Sequence, residues 1–229
     1  MSELDISQER FLAQENTRRE FQAYLLEDIP YETCYVEENQ VLIERNSLEA
    51  CVYIVVSGVA LAKKENVPLQ FFGRYACLGI ENIFSPDKTD TTILALTRMK
   101  VYKLTIKDVF TRLQQHGDGF RLLGMIQADH IDTFLQHHVA SKLSHDRVWD
   151  VLLRLSFLYG KEENQCIYTP KYFSKKMIAD YLNISYGSVA AAFRALEAEG
   201  KLHDEPHGMV IYKVWTQKVR KNIANTLNS

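Results

Sequence analysis

Cysteine is scarce: the four present, Cys34, Cys51, Cys77 and Cys166, form no C-x-x-C pair. Such scatter argues against a disulfide frame, a zinc site or an iron–sulfur cluster and fits reduced thiols in a cytoplasmic protein. Long apolar runs are missing as well. The longest, residues 51–62, is interrupted by Ser57 and Gly58, and a bilayer-spanning helix needs about 20 apolar residues. The opening MSELDISQERF is acidic and polar, so no secretory signal and no membrane partner are expected. Catalytic signatures are also lacking. There is no nucleophile elbow, no metal-ligand spacing and no phosphate-cradling glycine loop, so neither an enzyme, a metal nor a cofactor is expected.

A net charge is nearly absent overall. The formal net charge is −2, from 27 Lys+Arg and 29 Asp+Glu. The balance is uneven along the chain: from residue 145 onward there are 12 basic and 9 acidic residues, leaving 15 and 20 before it. A basic C-terminal part suits a polyanion partner, although a solvated face produces a surplus this small equally well.

What is present is an ordinary folded composition, 46% hydrophobic and 24% charged, in a chain of 229 residues that can hold one large or two modest domains. Residues 1–30 are charged, with Phe11, Leu12, Phe21, Leu25 and Leu26 near helical spacing. From Tyr31 the texture changes to short β-rich runs, 41–44, 52–62, 67–73, 91–96 and 101–105, separated by turn formers. Strands at that spacing predict a sandwich or barrel rather than alternating β–α units.

The period then switches. A short helical pattern from Ile106 breaks at 116–119, and a long one runs over 120–143 with four charged residues, Arg121, Asp129, Asp132 and Lys142. Leu123, Ile126 and Phe134 fall on one face, and Leu122, Ile131 and Leu135 on others. A helix apolar on several sides must be covered on several sides, by the β-domain and a twin subunit, or as a core helix within one domain. Aspartate at Phe134 or Ile126 is therefore expected to split or unfold the protein. His130, His137 and His138 lie along the same helix on different faces, which suits a pH-sensitive interface better than a metal site.

After a helix near 147–159 the chain reads TPKYFSKKMIADYLNISYGSVAAAFRALEAEGKLHDEPHGMVIYKV. Ser174 can cap a short helix that turns Ile178, Ala179 and Leu182 inward. Asn183 and Ile184 make a tight turn, and Ser185 caps a second helix with Val189, Phe193 and Leu196 on its buried face. Gly200 is placed to end it. A hairpin with its tip at Pro206, His207 and Gly208 follows. Two short helices, a turn and a hairpin make a winged helix-turn-helix, which predicts binding to double-stranded DNA. Ser174 and Ser185 stand at helix starts whose free N–H groups suit phosphates, and Lys175 and Lys176 flank the first.

The order of these parts, with YIVVSGVAL (53–61), CLGIE (77–81) and FSKKMIADYLNISYGSVAAAFRALEAEG (173–200), resembles the cyclic-AMP receptor/Fnr (Crp/Fnr) family of bacterial transcription regulators from about Tyr31 onward. The resemblance implies an α+β fold: an N-terminal double-stranded β-helix (jelly roll) over 1–116, a dimerisation helix over 117–144 and a winged helix-turn-helix over 145–229. It implies a homodimer on a palindromic operator, with RNA polymerase as a further partner. Base-reading positions carried over from the family fall on Tyr186, Gly187 and Ala191, with Ser188 available for phosphate and Arg194 one turn on. No arginine is among the first three. Alanine and tyrosine suit thymine methyls, and small residues at 190–192 are expected to seat the helix deeply, so an A·T-rich site is expected.

The chain departs from the family where the nucleotide is held. In nucleotide-binding members a Gly-Glu pair holds the ribose and an Arg-Ser pair the cyclic phosphate. The matching positions here are Gly79-Ile80 and Thr89-Asp90, with Cys77 nearby, and no arginine lies between Arg74 and Arg98. An aspartate facing phosphate repels it. The chain therefore resembles a divergent member without the cyclic-nucleotide motif, whose effector is another small molecule or none. Cys77 reads as a buried reduced thiol before a redox thiol or axial ligand. The rival reading is a β-roll ligand-binding or adaptor protein with a degenerate helix-turn-helix, favoured by Gly187, since a glycine inside a helix costs about 1 kcal/mol.

Overall fold

The computed structural model describes residues 3–84, 88–115, 117–138, 143–164 and 166–212. The chain divides into two compact units, one spanning Leu12–Leu135 and the other made of Met1–Phe11 and the chain from Gln136 onward, so that the first residues of the N-terminal helix are grouped with the second unit.

In the first unit a helix α1 (Glu3–Asp28) leads into strands β1 (Glu32–Val36), β2 (Val41–Ile43), β3 (Cys51–Ser57), β4 (Ala60–Lys64), β5 (Val67–Phe72) and β6 (Cys77–Leu78). A 3₁₀ turn (Ile80–Ile83) precedes β7 (Thr92–Ala95) and β8 (Met99–Thr105), and helices α2 (Ile106–Gln115) and α3 (Gly117–His138) close the unit. Two antiparallel four-stranded sheets result, in the orders β1-β8-β3-β6 and β2-β7-β4-β5, as a jelly roll requires. The strand-glycine-strand pattern of 53–61 is the turn between β3 and β4. Gly58 sits there at φ +92°, where an added Cβ would lie 2.6 Å from the Arg98 carbonyl oxygen, so only glycine fits.

Strand β3 shows why residues 51–62 read as one apolar run. Successive side chains point to opposite faces, and both faces are covered. Tyr53 and Val55 pack between the sheets with Val36, Ile43, Ala60, Ile93, Met99 and Val101. Val52 and Ile54 pack outward against helices, with Phe21 and Leu25 of α1, Val109 and Leu113 of α2, and Leu122, Leu123 and Ile126 of α3. One polar group is locked into this helical layer. The guanidinium of Arg112, with only 7% of its side chain exposed, pairs with Glu27 at 3.0 Å and Asp28 at 2.5 Å. It also donates to the Tyr24 carbonyl oxygen and stacks 4.5 Å above the Tyr24 ring.

Helix α3 changes character along its length. Ile126 is 3% exposed in the core, whereas Ile131, Phe134 and Leu135 are 59%, 48% and 47% exposed. For aspartate at Ile126 the expectation narrows to unfolding: a charge there sits in the core of the unit, so the position does not test dimerisation. Residues 139–142, the expected end of the helix, and His116 lie outside the described residues, as do the side chains of His137 and His138.

In the second unit α4 (Ser144–Tyr159), strands β9 (Lys161–Glu163) and β10 (Cys166–Pro170), α5 (Lys175–Leu182), α6 (Tyr186–Ala198) and the hairpin β11 (Leu202–Glu205)–β12 (Gly208–Tyr212) follow in order. The strands form one antiparallel sheet, β11-β12-β10-β9. Val148, Val151, Leu152 and Leu155 of α4 are buried, as are Ile178 and Leu182 of α5, Val189, Phe193 and Leu196 of α6, and Met209, Val210 and Ile211 of β12. Between α4 and β10 the polar Lys161–Glu163 pairs with β10 as an exposed edge strand. No alternation of apolar residues marks it, because neither of its faces is buried.

Candidate nucleic-acid interface

The two short helices are fixed by local chemistry at all four ends. Ser174 adopts extended backbone and its Oγ accepts from the Met177 N–H at 3.2 Å; Ser185 does the same for the Ser188 N–H at 3.0 Å. Each is an N-cap of the expected kind. At the other ends Asn183 and Gly200 take left-handed backbone, φ +51° and +70°. The Ile184 N–H reaches the Ala179 carbonyl, and the Lys201 N–H reaches that of Leu196. These are Schellman closures, which set the angle at which the chain leaves each helix. Arg147 of α4 adds a bond to the Leu182 carbonyl at 2.8 Å, satisfying the end of α5.

Four of the expected reading residues share an outward face of α6. Tyr186, Gly187, Ala191 and Arg194 are exposed, Tyr186 by 57%. Ser188 is half-buried, its hydroxyl 2.9 Å from that of Ser185. Ala192 faces the core and Ala190 is half-buried, so the small-residue surface expected over 190–192 narrows to Ala191, because the helical period turns its neighbours inward. Gly187 is the second residue after the cap and exposed. There it interrupts no mid-helix hydrogen bond and costs less than in a helix interior.

The lysines at the start of α5 are not simple free charges. Lys175 Nζ lies 2.5 Å from Asp204 Oδ2 on the hairpin and 4.9 Å from the centre of the Phe193 ring. Lys176 pairs with Asp180 at 3.3 Å one turn along. Sequence reading missed the role of Asp204, since a residue 29 positions away is brought to Lys175 only by the fold. The hairpin is short and sharply built: Glu205 pairs with Gly208 across Pro206 and His207. Gly208, at φ +149°, leaves no room for a Cβ against the Thr169 carbonyl.

In the first unit the residues carried over as the nucleotide site separate. Cys77 and Gly79 line a cavity of about 230 Å³. Ile80 instead points into the helical core. Thr89 is buried and donates to the Glu44 carbonyl at 2.7 Å. Asp90 is ion-paired with Lys64 and Arg45, which holds its carboxyl below the usual range, the Lys64 bond contributing most. Neither Thr89 nor Asp90 belongs to the lining. Glu81, Gln127, His130 and Phe134, which sequence reading did not assign to it, do. Burial pushes the Cys77 thiol up to about 12, so it stays protonated near neutrality. Among the described residues no group of ligands is arranged for a metal, and no helix is long and apolar enough to cross a membrane.

Residues 33–116 match the cyclic nucleotide-binding domain family. No curated protein matches the sequence. Among solved structures, FixK2 from Bradyrhizobium japonicum is similar over 81% of this chain and 93% of its own, at 16% identity and a TM-score of 0.68. The global regulator CLP from Xanthomonas campestris, described as c-di-GMP responsive, is similar over 86% and 99%, at 19% identity and 0.61. A CRP/FNR-family transcriptional regulator from Thermus thermophilus is similar over 79% and 93%, at 16% identity and 0.61.

Proposed function

We propose that this chain, whose fold is that of the Crp/Fnr regulators, is a sequence-specific DNA-binding transcription regulator. It acts as a homodimer in the cytoplasm on a palindromic, A·T-rich operator, and its effector is not cyclic AMP. The observation that carries the reading is the pair of helices α5 and α6, capped at both ends and backed by a hairpin, with Tyr186, Gly187, Ala191 and Arg194 on one exposed face. A degenerate helix-turn-helix would have no reason to keep both serine caps and both Schellman turns.

The chemistry of that face favours methyl and shape readout. Arg194 is the sole cation among the four, so no arginine stands at the start of the helix to grip guanine. The first backbone N–H groups of α5 and α6 are available to phosphates, because each cap satisfies only the third residue of its helix. Dimerisation is assigned to the exposed stripe Ile131, Phe134 and Leu135 of α3. Exclusion of cyclic AMP is supported by a cavity whose lining, among the described residues, holds no lysine or arginine. Random-site selection with the purified protein tests the whole reading. An A·T-rich palindrome with half-sites about one helical turn apart is expected, and Tyr186→Ala is expected to lose about 1–3 kcal/mol of discrimination. A G·C-rich consensus, or one indifferent to Tyr186→Ala, overturns it.

A further inference from the structure

The cavity in the first unit is bounded by β4, β5 and β7, by the approach of Cys77, Leu78 and Gly79 to the 3₁₀ turn, and by α3. Leu69, Phe72, Leu78 and Ile93 supply apolar walls, and Gln70, Thr91 and Gln127 supply neutral polar groups. His130 contributes from α3, its ring set edge-on to Phe72 with centroids 5.8 Å apart. Fixed charge is one-sided: among the described residues Glu81 belongs to the lining and no lysine or arginine does. Lys64 and Arg45, the cations paired with Asp90 at the expected phosphate position, lie outside the described lining.

Glu81 is exposed, and among the described residues no cation pairs with it. An ammonium group gains a partner at that carboxylate, whereas a phosphate or carboxylate ligand is repelled by it.

We propose that this cavity binds a small amphipathic amine, with the ammonium against Glu81 and an apolar body against Leu69, Phe72, Leu78 and Ile93. At 230 Å³ the space suits one aromatic ring with a short chain; an apolar cavity of about 150 Å³ takes a benzene. Gln127, His130 and Phe134 belong to α3, so such a ligand bridges sheet and helix beside the exposed stripe of Ile131 and Leu135. The ligand class rests on the cavity alone; its regulatory consequence, a change in how α3 is held, rests on the reading of the chain as a dimeric regulator.

The probes are 2-phenylethylamine, 2-phenylethanol, phenylacetate and cyclic AMP, each titrated into the full chain and followed by protein-observed NMR. Saturable binding of the amine is expected, with the alcohol about tenfold weaker because it lacks the charge-assisted bond, and no saturation by phenylacetate or cyclic AMP. Glu81→Gln is expected to lower the amine to the level of the alcohol while leaving the alcohol unchanged. Gln70→Trp, at a half-buried position, is expected to block both and keeps the test decisive if Glu81→Gln does not fold. Absence of amine binding up to about 10 mM, where affinity would be near −2.7 kcal/mol, overturns the proposal. So does amine affinity that survives Glu81→Gln, or phenylacetate binding as tightly as the amine. DNA takes no part in these titrations, so their failure leaves operator selection standing.

Discussion

Asp204→Asn should strengthen DNA binding and steepen its salt dependence. Asp204 now holds the Lys175 ammonium at 2.5 Å, with side chains 38% and 27% exposed, and the pair sits beside the start of α5. An ion pair this close to solvent contributes about 0.2–1 kcal/mol to stability, so its loss leaves the fold intact. The effect on DNA is larger. Each phosphate neutralised by a cation releases counterions and adds about 0.9 to the slope of log K against log salt. Freeing Lys175 for one phosphate is therefore worth about fivefold in affinity near 0.15 M salt and about twofold near 0.5 M. Removing a carboxylate from the same surface adds to the gain.

Fluorescence anisotropy with a selected operator duplex, repeated from low to high salt, reads both quantities. Lys175→Ala alone should change affinity little, because its charge is already engaged by Asp204. In the Asp204→Asn background the same change should abolish the gain. An Asp204→Asn protein that binds more weakly, with an unchanged slope, refutes the reasoning. It would mean that the pair positions the hairpin against α5 and that Lys175 reaches no phosphate.

Ile131→Asp, at an exposed position of α3 outside the cavity lining, should convert a dimer at micromolar concentration into a folded monomer, as read by light scattering and circular dichroism. A wild-type monomer under those conditions removes the assignment. Cys77 should resist alkylation in the native protein near neutral pH. Its folded thiol is raised from 9.0 to about 12, so its contribution to stability is fully present below pH 9 and is lost as pH rises toward 12. Denaturation midpoints for the wild type and Cys77→Ala that fall in parallel across pH 9–11 would contradict this.

How far the sequence could be read depended on how local the deciding chemistry was. The caps Ser174 and Ser185 and the turn residues Asn183 and Gly200 act within a few positions of themselves, and all were placed from spacing alone. The main strands were visible because buried strands are apolar. The edge strand Lys161–Glu163 was not, since an exposed strand is held by backbone bonds that carry no side-chain pattern. The cavity was the least legible part. A register carried over from relatives pointed to Ile80, but the left-handed Gly79 and the 3₁₀ turn after it send Ile80 into the core and leave Glu81 on the lining. A slip of one residue there exchanges a core side chain for a ligand-facing one.

The same electrostatic economy governs both candidate sites. At the cavity, cations that could have met a phosphate are tied to Asp90, and the one charge that remains is negative. At the helix face, Lys175 and Lys176 are tied to Asp204 and Asp180, and of the outward residues of α6 only Arg194 is charged. Arg194 apart, neither of these sets of residues offers a free side-chain cation to an anion. For the cavity, that supports the proposal that a cyclic nucleotide is not its ligand. For the helix face, the proposed reading places the contacts with DNA on backbone N–H groups, which position the helix, and on methyls and the tyrosine ring, which discriminate. Such contacts release few counterions, so this chain should show a shallower salt slope than a regulator whose recognition helix opens with arginine.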